Sequence, residues 1–295
     1  MTTLWVLLHI AAQGDYELHS LDFSIVFLQE SVHEQIWLRR PPGFAGSFPP
    51  GTQWQLPLDF FPSSADPSLF VRRGSTPFFV FVYVNDLVFS TTDGPALASV
   101  KEELQRRHTR TDLGELHRYL GLQITRDRAA RTITMTQSHM VEQILTRFRF
   151  PFSKVQSTPL AVDHGLTATP SDESFQSSCP YLELVDCLMY LMTCTRPDLA
   201  YPLSVLARFV APGRHQPSHW CAGYCFSIGT GAVLWRSTRA STVSSSCCEA
   251  EVYDAAMAEE LRWLSFLLTD LSEWARSPPI LFDDNRSAIL LCEEP

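Results

Sequence analysis

The stretch FFVFVYVNDLVFS, residues 78–90, constrains the fold of this chain more than any other feature. A run of strand-forming residues leads to the polar pair Asn85 and Asp86, and further strand formers follow. This pattern predicts a β-hairpin inside a sheet, where a carboxylate costs free energy unless something binds it. The pair is therefore either an ordinary turn, since Asn and Asp tolerate turn conformations, or part of a metal-binding hairpin.

Further elements are predicted on both sides of the hairpin. Residues 16–22 form a short strand that ends at Asp22, and a helix begins at Asp93 and Pro95. The later elements are two strands in LHRYLGLQITRD and RTITMTQ, a helix SHMVEQILTRF capped by Ser138, two helices broken at Arg196-Pro197-Asp198, strands GYCFSIG and GAVLWRS, a helix over about 250–271, and a last strand PILFDD.

Composition excludes several classes of protein. A hydrophobic fraction of 45% fits a globular protein, and no apolar run approaches the roughly 20 residues needed to span a bilayer. The segment LWVLLHI is too short for a leader, so we expect an intracellular chain, in the cytoplasm or nucleus. Basic clusters at 39–40, 72–73, 101–110 and 126–131 are either solvated faces or sites that follow phosphates.

Asp22 and Asp86 are candidates for phosphoryl-transfer chemistry. With Asp22 at a strand end beside Asp86 on the hairpin, the order strand–helix–hairpin–helix–strand indicates a palm-like sheet. Phosphoryl transfer uses divalent ions held by clustered carboxylates, and hard ions such as Mg²⁺ prefer oxygen ligands. Two acids far apart in sequence are weak evidence alone, because the chain has 32 Asp and Glu residues.

Five motifs in the same order resemble those of copia-type retrotransposon Pol polyproteins. LDFSIVFLQESVHEQIWLRRPPGF resembles their LD-x-x-x-AFL…PPGF segment, and FVYVNDLV resembles their YVDDL hairpin. The other three are DLGELHRYLGLQI, DCLMYL…TRPDLAY (with Asp186 where the family has Gly) and SSCCEAEVY…DN. The resemblance covers essentially the whole chain.

The resemblance implies an α+β chain in three parts. Residues 1–150 would be a reverse transcriptase palm with a thumb-like helix, lacking the fingers and the nucleotide-pocket helix. Residues 151–219 would be a connection, and residues 221–295 a truncated α/β RNase H-like domain. The implied partners are an RNA template, a DNA primer and an RNA–DNA hybrid, with Mg²⁺ or Mn²⁺ as cofactor and no membrane.

The same resemblance implies roles for single residues. Asp22 and Asp86 would be catalytic metal ligands of the polymerase, and Glu251 and Asp284 those of RNase H. Phe27 would lie under the incoming sugar and exclude a ribose 2′-hydroxyl. The turn Tyr119-Leu120-Gly121 would hold the primer end. From the residues alone, without the resemblance, core packing is the favoured interpretation of Phe27 and Tyr119.

The chain also departs from the family at functional positions. Asn85 stands where the family has a metal-binding aspartate, so we expect polymerisation to be crippled. A YGLKQAPRAW-like helix of the nucleotide pocket is missing after Trp54-Gln55-Leu56. A second segment with the first RNase H aspartate is missing at His219-Trp220-Cys221, so both activities are expected to be lost.

Three hypotheses remain open on the sequence alone. The chain is a reverse transcriptase and RNase H segment that still makes DNA, a catalytically inactive fragment or mis-spliced gene model of such a polyprotein, or a non-enzymatic nucleic-acid-binding relic. A salt-dependent affinity for an RNA–DNA hybrid would favour the binding relic.

Overall fold

A six-stranded antiparallel sheet, described by a computed structural model, forms the centre of the protein. The structure describes residues 1–23, 59–107, 110–150, 156–161, 180–207, 221–239 and 256–271, together with residues 280 and 282. The strands of the sheet follow the order β2-β3-β4-β5-β1-β6. Their bounds are β1 Glu17–Phe23, β2 Phe61–Pro62, β3 Leu69–Arg72, β4 Phe78–Tyr83, β5 Asp86–Thr91 and β6 Arg110–Glu115.

The remaining described elements surround this sheet. The helices are α1 Thr2–Gly14, α2 Gly94–Arg107, α3 Ser138–Arg147, α4 Tyr181–Cys194, α5 Ala200–Leu206 and α6 Ala256–Asp270. A second sheet contains β7 Arg118–Tyr119, β8 Leu122–Asp127 and β9 Thr132–Thr136, and a third contains β10 Cys221–Ile228 and β11 Gly231–Arg239. Helices and antiparallel sheets together confirm the predicted α+β class.

The central sheet separates two apolar layers because successive side chains of a strand point to opposite faces. On β4, Phe78 and Val80 pack toward α2, whereas Phe79 and Phe81 pack toward α1. Leu21 of β1 belongs to the α2 layer. Residues 78–81 of β4 are therefore buried on both faces, which explains why all four are apolar.

Helix α1 is buried nearly all round. Its buried residues are Thr3, Leu4, Trp5, Val6, Leu7, Leu8, Ile10, Ala11 and Ala12. It ends at Gly14, and Asp15 follows in the left-handed conformation with φ 54° and donates its N–H to the Ala11 carbonyl. A helix that is apolar on every side is a core helix. This helix is not among the elements predicted from the sequence, where the segment LWVLLHI is weighed only as a possible leader.

Two helix starts were predicted from capping residues, with opposite outcomes. Asp93 caps α2 as predicted, because Oδ1 of Asp93 accepts the N–H of Ala96 at 2.9 Å. The predicted cap at Ser138 is wrong, since Ser138 is already the first helical residue and Gln137 precedes the helix without a side-chain cap. The Gln137 carbonyl accepts the N–H of Val141 at 3.0 Å, which places the cap one residue earlier.

Other predicted elements differ in detail. The predicted strand LHRYLGLQITRD is two strands, because Leu120 and Gly121 both have positive φ and reverse the chain between β7 and β8. The break between α4 and α5 is confirmed, with a 3₁₀ turn at Pro197–Leu199. Strands β10 and β11 are confirmed. Of the last predicted strand, only Ile280 and Phe282 are described, and neither lies in a strand.

The later part of the chain packs on the central sheet through α1 and β3. Val233 of β11 and Leu264, Leu267, Leu268 and Leu271 in or beside α6 belong to the same apolar cluster as α1. The Trp263 indole of α6 donates to the Ala65 carbonyl at 2.9 Å, just before β3. In the described part of the chain, no helix combines the length and apolar character that crossing a membrane requires.

Candidate active site

The hairpin β4–β5 turns through only two residues. Tyr83 and Asp86 are the last paired residues, so Val84 and Asn85 form the loop. Val84 has φ 53°, and Asn85 is not among the residues with positive φ, which is the pattern of a type II′ turn. Glycine is favoured at the first loop position, and a β-branched residue is strained there. The tip of the hairpin is therefore a tight turn that stores backbone strain.

Asp22 and Asp86 lie directly opposite each other on neighbouring strands. The antiparallel register of β1 and β5 pairs the two residues as Cα partners. Both side chains are half-buried. Burial raises the pKa of the Asp86 carboxyl, and the nearby Asp22 charge raises it further. The structure thus brings together the two acids that were predicted to lie beside each other.

Asn85 occupies the turn beside this pair. Its side-chain Oδ1 is buried and has no hydrogen-bond partner among the described residues. A buried polar atom without a partner costs about 1–3 kcal/mol, so this oxygen is available to a ligand. As an amide oxygen it can coordinate a cation, but it carries no charge.

Tyr119 borders the same site from the second sheet. Its side chain is 4% exposed, and its hydroxyl has no hydrogen-bond partner in the described ranges. Burial raises the pKa of Tyr119, and the charge of Asp86 and the Tyr83 phenol contribute to that increase. Leu120 and Gly121 follow with φ 47° and 74°, the pattern of a type I′ turn. The predicted primer-binding turn therefore begins at a residue that lies within electrostatic range of Asp86.

The carboxylate pair is the candidate ligand set for a divalent cation. The described residues contain no group of three or more His, Cys, Asp or Glu side chains that could hold a metal ion. Two carboxylates and the Asn85 amide oxygen are hard oxygen ligands, and a bound cation would relieve the repulsion between the two acids. This donor set is small for the two ions that phosphoryl transfer commonly uses.

The other predicted site residues lie outside the described residues. Phe27, Glu251 and Asp284 belong to this group, so their predicted roles stay predictions.

The basic cluster at 126–131, predicted as either a solvated face or a phosphate site, makes contacts within the protein. Arg126 donates to the carbonyls of Tyr16 and Ala11 and pairs with Asp15 at 2.8 Å. Arg128 also pairs with Asp15 at 2.8 Å. These contacts satisfy carbonyls at the end of α1 and complement its dipole. The cluster at 126–131 therefore anchors a helix.

Sequence reasoning missed one contact of the site. The Tyr190 hydroxyl on α4 donates to the Leu120 carbonyl in the turn beside Tyr119. The only signal in the sequence is that Tyr190 belongs to the motif DCLMYL, whose function the motif itself does not reveal.

The middle of the chain matches a known protein family. Residues 52–162, which include the hairpin and the Tyr119 turn, match the family described as reverse transcriptase (RNA-dependent DNA polymerase). This part of the chain is a reverse transcriptase-like region. No solved structure matches the chain.

Known proteins that align with nearly the whole chain are transposon Pol polyproteins. The chain is 27% identical to the retrovirus-related Pol polyprotein from transposon TNT 1-94 of Nicotiana tabacum, over 98% of this chain and 27% of the relative. It is 24% identical to the corresponding polyproteins from transposons RE2 and RE1 of Arabidopsis thaliana, over 100% of this chain and 25% and 24% of those relatives. The chain spans about a quarter of the length of these curated relatives. It is a relative of transposon Pol polyproteins, which confirms the resemblance seen in its motifs.

Proposed function

We propose that this chain is a reverse transcriptase segment of a copia-type retrotransposon Pol protein that no longer polymerises DNA. The observation that carries the proposal is the hairpin, where Asp22 and Asp86 are paired across two strands and Asn85 occupies the turn. Asp22 and Asp86 would hold a divalent cation, Mg²⁺ or Mn²⁺. The nucleic-acid partners of such a segment would be an RNA template, a DNA primer and the RNA–DNA hybrid.

The loss of activity follows from the missing charge at Asn85. At an effective dielectric of about 20, two unit charges 4 Å apart interact by roughly 4 kcal/mol, and a divalent ion doubles that value. Even a third of the doubled energy slows chemistry about a hundredfold. The neutral Asn85 oxygen cannot supply this interaction, so the cation is held too weakly for efficient catalysis.

The lengths of the alignments support the loss of internal segments. The alignment with the TNT 1-94 polyprotein extends over 365 positions, whereas this chain has 295 residues. At least 70 positions of that alignment therefore face no residue of this chain. The predicted absence of the nucleotide-pocket helix and of the first RNase H aspartate accounts for such gaps.

The region after residue 220 is proposed to be an RNase H remnant. The antiparallel pair β10–β11 and the helix α6 are consistent with part of an α/β domain. Glu251 and Asp284 would be two of its four metal-binding acids, and two acids are too few to hold two ions in working geometry. The division into residues 1–150, 151–219 and 221–295 stays a prediction.

Primer extension tests the proposal. The full chain is incubated with a DNA primer on an RNA template, deoxynucleotides and either Mg²⁺ or Mn²⁺, beside the variant Asp86→Asn. We expect no extension by either protein above the background without enzyme. Extension by the wild-type chain that disappears in Asp86→Asn would overturn the proposed inactivity.

A binding assay separates an inert segment from a nucleic-acid-binding relic. Fluorescence anisotropy of a labelled RNA–DNA hybrid is measured at low and at high salt. Binding that weakens with salt identifies a retained interaction surface. No binding at low salt would remove nucleic acid from the partners proposed above.

A further inference from the structure

A hydrogen bond connects α4 to the turn beside the candidate active site. The Tyr190 hydroxyl donates to the carbonyl of Leu120, a residue 70 positions earlier in the chain. Leu120 has φ 47°, a conformation that L-residues other than Asn and Asp seldom adopt. A non-glycine residue held there needs contacts that fix it. Tyr190 supplies such a contact directly to the strained peptide.

The Tyr190 phenol also covers the second residue of the turn. A Cβ placed on Gly121 would lie 3.7 Å from the Tyr190 hydroxyl, which is ordinary contact distance. Burial raises the pKa of Tyr190 to about 12, with a smaller contribution from the Cys194 thiol. The hydroxyl therefore stays protonated at ordinary pH and remains a donor to the Leu120 carbonyl.

The turn is connected to the carboxylate pair through Tyr119. Tyr119 directly precedes Leu120, and its buried phenol lies close enough to Asp86 and Tyr83 for their charges to act on it. Tyr190 also lies within electrostatic range of Tyr83, at the tip of the hairpin. Tyr119 and Tyr190 thus both lie within electrostatic range of Tyr83 on the hairpin, and Tyr190 is the member contributed by α4.

Helix α4 is held in place by contacts that do not involve Tyr190. The Thr195 hydroxyl, just after the helix, donates to the Gln137 side chain at 2.7 Å. The Trp235 indole of β11 donates to the Met192 carbonyl at 2.8 Å. Removing the Tyr190 hydroxyl should therefore leave the helix in position and release only the turn.

We propose that Tyr190 is a positioning residue that fixes the Tyr119-Leu120-Gly121 turn through the Leu120 carbonyl and thereby sets the place of the primer end. The inference rests on the proposed function because that turn is the predicted primer-binding element. It gives the proposed connection, residues 151–219, a direct contact with the predicted primer-binding turn.

The experiment compares Tyr190→Phe with the matched control Tyr181→Phe. Tyr181 is on the same helix, and its hydroxyl donates to the Leu206 carbonyl at 2.9 Å, so each variant loses one tyrosine-to-carbonyl bond. The first readout is the set of backbone amide resonances of residues 118–122 in the full ¹⁵N-labelled chain. The second is fluorescence of 2-aminopurine in a primer–template, placed either at the primer 3′ nucleotide or at an internal position.

We expect Tyr190→Phe to shift the turn resonances and to change the fluorescence of the terminal probe but not of the internal probe. Primer–template affinity should fall about fivefold, as expected for the loss of one net hydrogen bond. Tyr181→Phe should change neither the turn resonances nor the terminal probe.

Other outcomes overturn the inference or the proposed function separately. Unchanged turn resonances in Tyr190→Phe, or equal shifts in Tyr181→Phe, would overturn the positioning role. A moved turn with an unaffected terminal probe on a bound primer–template would overturn the link to the primer. If the wild-type chain binds no primer–template, the binding part of the proposed function fails, and the resonances alone then decide whether Tyr190 positions the turn.

Discussion

Nζ of Lys101 lies 2.8 Å from Nδ1 of His19, which joins helix α2 to strand β1 on the sheet face opposite Asp22. The same ammonium group donates to Asp112 on β6 at 2.8 Å, and it is almost fully buried. For His19 to accept a hydrogen bond from an ammonium group, its Nδ1 must be unprotonated. The contact therefore requires neutral His19.

This contact predicts a loss of stability in mild acid. Burial lowers the pKa of His19 below 6.5, and the Lys101 charge lowers it further, against smaller opposing effects of Glu17, Asp112 and Glu115. The folded state thus binds fewer protons than the unfolded state, so the free energy of unfolding falls as pH drops below about 6.5.

The variant His19→Gln tests the origin of that loss. Glutamine can accept the Lys101 bond without titrating, so the difference in urea unfolding midpoint between pH 7 and pH 5 should shrink. His117→Gln, at a largely exposed position, is the control and should keep the wild-type difference. An equal pH dependence in wild type and His19→Gln would show that another group is responsible.

Asn85→Asp should strengthen cation binding. A carboxylate in place of the Asn85 amide, whose oxygen has no hydrogen-bond partner among the described residues, restores a unit charge beside Asp22 and Asp86. We expect the affinity for Mn²⁺ to rise about a hundredfold, which corresponds to about a third of the attraction between a unit charge and a divalent ion 4 Å apart at an effective dielectric of about 20. Paramagnetic resonance of free Mn²⁺ measures the affinity, and Asp127→Asn on β8 is a control expected to bind like wild type. A Mn²⁺ affinity equal in wild type and Asn85→Asp would place the cation elsewhere.

Val84→Gly should stabilise the protein. Val84 has φ 53° and is 63% exposed, so the substitution relieves backbone strain and removes little packing. We expect a gain of about 1 kcal/mol, reduced by the greater freedom of glycine in the unfolded chain. Chemical denaturation measures it, beside Val82→Gly in the extended strand β4, which should destabilise. Destabilisation by both variants to the same extent would mean that the turn is not strained.

Arg126→Met should loosen the end of α1. The substitution removes donors to the carbonyls of Tyr16 and Ala11 and leaves Asp15 with one fewer cation. Because these are charge-assisted bonds from a largely buried side chain, we expect a loss of about 2–3 kcal/mol in the free energy of unfolding. Arg131→Met removes only an exposed bond to the Gln13 carbonyl and should cost about 0.5 kcal/mol or less. Similar losses in the two variants would contradict an anchoring role for Arg126.

Local sequence patterns predicted the hairpin and the position of Asp86 in it. Alternating and continuous apolar runs identify strands, and Asn85 and Asp86 locate the turn, because these signals depend on neighbours in sequence. No local pattern shows that the strand ending at Asp22 lies beside the hairpin, and that prediction depended on the order of the elements along the chain. The pairing of Asp22 with Asp86 between β1 and β5 confirms it.

Long-range contacts could not be predicted in the same way. Helix α1 is apolar on every side and so presents no single face from which a partner could be inferred. The basic cluster at Arg126 has the same composition as a phosphate-binding surface. Only the position of the end of α1 in the fold shows that Arg126 donates to a helix carbonyl instead. The contact between Tyr190 and Leu120 likewise depends on where α4 packs.

The burial of α1 has a consequence for synthesis of the protein. Its apolar side chains contact β11 and share one apolar cluster with residues of α6, and both elements follow more than two hundred residues later in the chain. A ribosome therefore exposes α1 long before the residues that cover it, and contacts of such sequence separation form slowly. The nascent chain should depend on holding chaperones until α6 emerges, and a ribosome stalled before that helix should carry an aggregation-prone intermediate.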